Sequence, residues 1–168
     1  MHKLSGFILG FLILLFSSTS WADGLTLSHT DPAWKDGKGD VPGKGICRRN
    51  GGKGMSPPLK VSNIPEGTVK LLINFTDEDY GSEGGHGAFE LKLSRNTEVD
   101  IASIQGEGSD KMPPNMKGVG QHHCGSCGGT YYLGPCSGGR GHFYIVYVYA
   151  KNADGKELAK GKLPLGQY

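Results

Sequence analysis

Three segments of the chain carry the apolar density or alternation that a β-strand requires. Val69 to Thr76 (Val-Lys-Leu-Leu-Ile-Asn-Phe-Thr) predicts a strand with apolar residues on both faces. Gly87 to Leu93 alternates more cleanly, with Phe89, Leu91 and Leu93 on one side and Glu90 and Lys92 on the other. Phe143 to Ala150 (Phe-Tyr-Ile-Val-Tyr-Val-Tyr-Ala) is the most β-prone run and predicts a central strand. Asn152 to Gly155 then makes a turn, after which Leu158 to Leu163 begins either a short helix or an edge strand. Upstream, Asp23 to Gly54 is polar and glycine-rich with scattered Leu25, Leu27, Trp34, Val41 and Ile46, the pattern of an extended arm with one or two short strands. Ser56-Pro57-Pro58-Leu59 is a rigid extended stretch, because each proline fixes its own φ and biases its predecessor toward β. Gly106 to Gly120 has turn residues throughout and reads as a long loop. No repeat, heptad or helix-length apolar stripe is present.

Composition narrows the fold class to mainly β. The 29 glycines and 9 prolines argue against a helical bundle, since each interior glycine costs a helix roughly 1 kcal/mol and each proline about 3. A net charge of +2 excludes a polybasic arm or an acidic tail and speaks against nucleic acid as a partner. Residues Met1 to Ala22 read as a signal peptide: a basic start at His2 and Lys3, an apolar stretch from Phe7 to Phe16, and small residues Ser20 and Ala22 before the cut. That stretch is shorter than the about 20 residues a membrane span needs, and no later segment is long and apolar enough to span. A single domain over residues 23–168, secreted or periplasmic, is the expectation.

Export changes what the cysteines mean. Cys47, Cys124, Cys127 and Cys136 form an even set, and disulfides persist in an oxidising compartment. Four cysteines admit three full pairings, among which the sequence does not choose; a local Cys124–Cys127 bridge with Cys47–Cys136 remaining is the working expectation. The run His122-His123-Cys124-Gly125-Ser126-Cys127 also resembles a metal cluster, but adjacent His122 and His123 do not easily face one tetrahedral ion. A redox Cys-x-x-Cys would open a helix in a βαβ unit, and here it sits among glycines of loop composition. Structural disulfides are favoured, with no metal and no cofactor expected.

The unusual polar residues gather at the ends of the predicted strands. Asp77 and Asp79 follow the first, His86 precedes the second, and Tyr132 to Pro135 with His142 to Tyr144 lead into the third. Were these strands neighbours in one sheet, Asp, His, His and Tyr would meet at one rim beside glycine N–H groups, making a small anion site. Each piece alone is weak, since Asp77 and Asp79 could simply cap a turn. Tyr147 and Tyr149 read as packing residues, and the sequon at Asn74 lies inside a predicted core strand.

The order of these pieces resembles the phosphatidylethanolamine-binding protein family in its bacterial, Raf-kinase-inhibitor-like branch, over roughly Cys47 to Ala150. Met55-Ser-Pro-Pro-Leu59 through Thr68 is similar to the family's segment ahead of a core strand, and Asp77-Glu78-Asp79 to its Asp-Pro-Asp. His86 stands where the family keeps a ligand-site histidine, and Tyr132-Leu-Gly-Pro-Cys136 with Gly141-His-Phe-Tyr144 resemble the elements that complete its pocket. The departures are Glu78 for a proline, Tyr80 at the start of a stretch without the usual Ala-Pro, Gly85 and Gly87 in place of aromatics that flank the histidine, and Ser137-Gly138 for a Pro-Pro pair. One apolar wall of the pocket is therefore expected to be missing.

The resemblance implies a β-sheet sandwich with few short helices and a non-enzymatic protein that binds a small anionic or phosphoryl ligand. His86 and His142 would donate to the anion, Tyr144 would add a hydroxyl, Gly134 and Pro135 would shape the rim with Tyr132, and Asp77, beside Asp79, would orient a histidine. The alternative is an inhibitor or regulator of an exported or envelope protein. An enzyme is disfavoured, because no Ser or Cys nucleophile is tied to these groups by motif.

Overall fold

The computed structural model describes residues 24–106, 112–127 and 131–168. The signal peptide expected over Met1–Ala22 lies outside the described residues. Eight strands are present among them: β1 (Thr26–His29), β2 (Leu59–Ser62), β3 (Lys70–Asp77), β4 (Ala88–Lys92), β5 (Val99–Ile101), β6 (Met116–Gly120), β7 (Phe143–Lys151) and β8 (Glu157–Gln167). Two short 3-10 turns, Pro32–Gly37 and Arg48–Asn50, are the helical content of the same residues. One sheet has three strands in the order β1-β2-β5 and the other five in the order β6-β4-β3-β7-β8. All the strand pairs are antiparallel.

The inward faces of both sheets share one core. Leu59, Val61 and Ile101 from the small sheet join Leu71, Ile73, Phe75, Phe89, Val146 and Val148 from the large one. In β3 the alternation is sharper than its composition: Leu71, Ile73 and Phe75 are buried, while Leu72 and Asn74 are half-buried on the outer face. There Leu72 lies opposite Tyr149 and Asn74 opposite Tyr147. Those tyrosines cover the face and end in hydrogen bonds, Tyr147 to Glu78 (2.5 Å) and Tyr149 to Glu83 (2.7 Å).

Three expectations are made specific by the packing. The Phe143 strand is interior as expected, since β7 is paired with β3 on one side and β8 on the other, and β3 holds the middle of the sheet. The segment after Leu158 is an edge strand of eleven residues, and Pro164 sits in it without loss because an edge tolerates a missing N–H. The Asp23–Gly54 stretch holds one short strand, β1, as expected, but its two 3-10 turns fold it onto the domain instead of leaving it an extended arm. Asp31 caps the first 3-10 turn by accepting the Ala33 N–H at 3.0 Å, and that turn delivers Trp34 to the core at 1% exposure, stacked on His29. A parallel bridge from Asp40 to Gln167 ties the segment to β8.

The Gly106–Gly120 loop also contains a strand where it is described, since β6 pairs with β4. Gly118 reads as a turn residue in sequence, yet here it makes room for a ring: a Cβ on it would lie 2.2 Å from the Tyr131 side chain. Residues 107–111 of that loop lie outside the described residues.

Candidate functional site

The antiparallel pairing of β3 with β7 sets Asp77 opposite Tyr144, so the end of one strand and the start of the other share a rim. Asp77 is buried, and both of its oxygens are used. Oδ1 accepts the Asp79 N–H at 3.0 Å, closing the turn after β3. Oδ2 accepts from His142 Nδ1 at 2.8 Å. A carboxylate only accepts, so His142 carries its proton on Nδ1 and addresses the cavity through Nε2.

His86 is held from two sides. Its N–H donates to the Phe75 carbonyl and its own carbonyl accepts from Leu133 N–H, both at 3.0 Å. Its ring Nδ1 donates to the Leu133 carbonyl at 3.0 Å, which again leaves Nε2 for a ligand. Burial holds the His86 pKa below the usual value, with a further lowering from His122. The Leu133 and Gly134 carbonyls and the Asp77 charge pull the other way without overcoming it. Burial thus favours the neutral ring of His86, in which Nε2 is an acceptor.

Asp77, His86 and His142 line one cavity of about 370 Å³, together with Arg49, Arg140, Tyr80 and the Cys124–Cys127 loop. The other expected residues stand behind or beside it. Tyr132, Pro135 and Tyr144 line a gap behind His86 that has no room for a water molecule. The Tyr144 hydroxyl, expected to face the anion, accepts the Cys136 N–H at 3.1 Å, and burial above all pushes its pKa up to about 12. Its ring meets His86 edge-on at 5.2 Å, so it positions the imidazole. Asp79 turns away to accept the Phe143 N–H at 2.7 Å. Gly134 is a packing point, where a Cβ would lie 2.3 Å from the Gly45 carbonyl oxygen.

The wall expected to be missing is built from another part of the chain. His123 donates its N–H to the Gly85 carbonyl at 2.9 Å, and its Nδ1 lies 3.4 Å from where a Gly85 Cβ would be. Gly87, at φ +114°, lets the Tyr131 carbonyl come within 2.2 Å of its would-be Cβ position. The two glycines that replace aromatic residues therefore admit the His122–Cys127 segment and its continuation. A Cys124–Cys127 disulfide closes that segment, and Arg49 tethers it by donating to Ser126 Oγ at 3.1 Å. Cys47 pairs with Cys136 across 89 residues, bringing Arg49 to the rim. Among the described residues no three His, Cys, Asp or Glu side chains gather as metal ligands.

Sequence reasoning missed Arg49, Arg140, Tyr80 and His123 as lining residues. Arg140 had a signal, lying two residues before His142 between glycines. Arg49 becomes visible only once Cys47 is known to pair with Cys136.

No curated protein matches the chain. Among solved structures, a phosphatidylethanolamine-binding protein homolog from Chlamydia trachomatis is 22% identical, with a TM-score of 0.57 over 86% of this chain and 97% of that one. YbcL of E. coli, described as a member of the mammalian family of the same name, is 17% identical, with a TM-score of 0.60 over 87% of this chain and 98% of that one. At these identities the likeness is one of fold: two antiparallel sheets with little helix. The family model for phosphatidylethanolamine-binding protein matches residues 17–166, nearly the whole sequence, and the chain belongs to that family.

Proposed function

We propose that this is an exported, non-enzymatic binding protein that holds a small phosphoryl group between His86 and His142. The observation that carries the reading is the Asp77–His142 pair, at 2.8 Å, lining the same cavity as His86. Both imidazoles have Nδ1 committed to an oxygen, so each offers Nε2 to the ligand. A phosphoryl group with a second pKa near 6 brings the proton that lies between its oxygen and the neutral His86. Asp77 holds the His142 ring by its Nδ1, so that Nε2 is the atom turned to the anion.

A binding role rather than a catalytic one is supported by the state of the nucleophiles. The cavity's cysteines are in disulfides, and the Ser137 hydroxyl donates to the Tyr168 carbonyl. Export is supported by the signal-like first residues together with the two disulfides. A second reading, an inhibitor or regulator of an envelope protein, draws on Tyr80 and Phe143, which are 77% and 55% exposed at the same rim. Calorimetric titration with inorganic phosphate tests the first reading. Binding by wild type that is lost in both His86→Gln and His142→Gln is the expected result; equal binding by wild type and both variants would remove the site.

A further inference from the structure

We propose that the cavity selects phosphomonoesters without an ammonium group over phosphoethanolamine and its lipid headgroup. The inference rests on the phosphoryl reading above and specifies the ligand's charge.

The charges around the cavity are unequal. Arg49 and Arg140 bring two guanidinium groups, while Asp77 is the only carboxylate among the described lining residues. Asp77 cannot answer an ammonium: its side chain is 5% exposed and its two oxygens already take His142 and Asp79. The carboxylates next along the chain do not line the cavity and accept elsewhere, Asp79 from the Phe143 N–H, Glu78 from Tyr147 and Glu83 from Tyr149. Tyr80 is the phenol at the mouth, and at 77% exposure it is too solvated to hold a cation strongly.

The guanidinium groups are exposed yet positioned. Arg49 gives one N–H to Ser126 Oγ at 3.1 Å, and Arg140 gives one to the Ser137 carbonyl at 3.0 Å. Among the described residues neither has a carboxylate partner. Each guanidinium carries five N–H donors in a planar fork that matches a phosphoryl group, so most of the fork is left for a ligand. An ammonium joined to the phosphoryl oxygen by two carbons would be brought toward these cations with no open carboxylate among the described lining residues to pair it.

Monoethyl phosphate and phosphoethanolamine differ only by that ammonium, and they make the deciding pair. In titration calorimetry at pH 7 and 0.15 M salt, monoethyl phosphate is expected to bind roughly five- to tenfold more tightly, from the repulsion at this range and screening. The preference should shrink to within about twofold in the Arg49→Gln, Arg140→Gln double variant. Both residues are exposed, so thermal melts should show that variant folded. Vesicles of phosphatidylcholine with phosphatidic acid, or with phosphatidylethanolamine, identify the source. Retention on phosphatidic acid alone supports a lipid phosphomonoester, and binding of monoethyl phosphate without retention supports a diffusible one. Equal or tighter binding of phosphoethanolamine overturns the inference and leaves the phosphoryl site standing. Failure of inorganic phosphate and both esters to bind overturns the site itself.

Discussion

The two disulfides are predicted to differ in how much stability and how much binding depend on them. Cys47–Cys136 joins residues 89 apart, whereas Cys124–Cys127 joins residues 3 apart. In the chain-entropy treatment, a cross-link restricts the unfolded ensemble by an amount that grows with the logarithm of the loop it closes. For the long bridge this gives about 4.6 kcal/mol at 25 °C, and for the short one about 1.9 kcal/mol. The long bridge is also packed: Cys47 is 0% exposed, its N–H donates to Pro135, and the Cys136 N–H donates to Tyr144. Replacing Cys47 and Cys136 with alanine is therefore expected to lower Tm by roughly 10–18 °C, and replacing Cys124 and Cys127 by roughly 4–8 °C. Binding should rank in the other direction per degree lost, because the short bridge shapes the cavity wall while closing little of the chain. Differential scanning calorimetry on the two double variants, followed by phosphate titration well below both midpoints, tests both halves. A short-bridge variant that loses as much stability as the long-bridge variant would refute the entropic reasoning. One that binds phosphate like wild type would refute the role of the loop in the wall.

Three further outcomes follow from particular contacts. Burial lowers the pKa of His86 and of His29, so the unfolded chain takes up protons more readily than the folded one. Their effect is absent above the unfolded value of about 6.5, and stability is lost as pH falls below it toward the lowered folded values; melts from pH 7.5 to 5 should show a drop that His86→Gln partly flattens. Gly118→Ala puts a Cβ into the Tyr131 ring and should cost about 1–3 kcal/mol in chemical denaturation, whereas Gly125→Ala, which meets open space, should leave the midpoint near wild type. Asp77→Asn keeps the shape beside His142 but weakens the acceptor that fixes its Nδ1–H, so phosphate affinity should fall about tenfold in titration calorimetry; unchanged affinity would separate Asp77 from the site.

The strands that carry the rim were legible because their side-chain alternation is dictated by burial. Leu71, Ile73 and Phe75 in β3, and Phe89 and Leu91 in β4, reach the core in the period their positions suggest. What stayed hidden depends on partners far away in sequence. β2 is four residues long and makes sense only between β1 and β5. Trp34 looked isolated in a polar stretch because most of the core it joins is built from strands far away in sequence. Glycine misled most in β6, where Gly118 is small to accommodate a ring rather than to turn the chain. At the rim, the placing of Asp77 beside His142 follows from strand order, whereas Tyr144 and Asp79 are turned by local hydrogen bonds that composition does not reveal.

The unusual loop and the two glycines beside His86 have one physical explanation. An aromatic wall keeps its shape by burying rings, but residues His122 to Cys127 offer little apolar surface to bury. Such a segment needs other restraints, and it has three: the Cys124–Cys127 bond, the Arg49 tether at Ser126, and the His123 N–H on Gly85. A Cβ at 87 would collide with the Tyr131 carbonyl, and an aromatic ring at 85 would have to extend past His123 Nδ1, which lies 3.4 Å from the Cβ position. Glycine at these positions and a bridged loop are therefore two parts of one substitution, a covalently braced polar wall in place of an apolar one. The substitution also sets the chemistry of the cavity. A wall of imidazole, disulfide and backbone buries little hydrocarbon, so affinity must come from charge and hydrogen bonds, and the two arginines at its edge supply the charge.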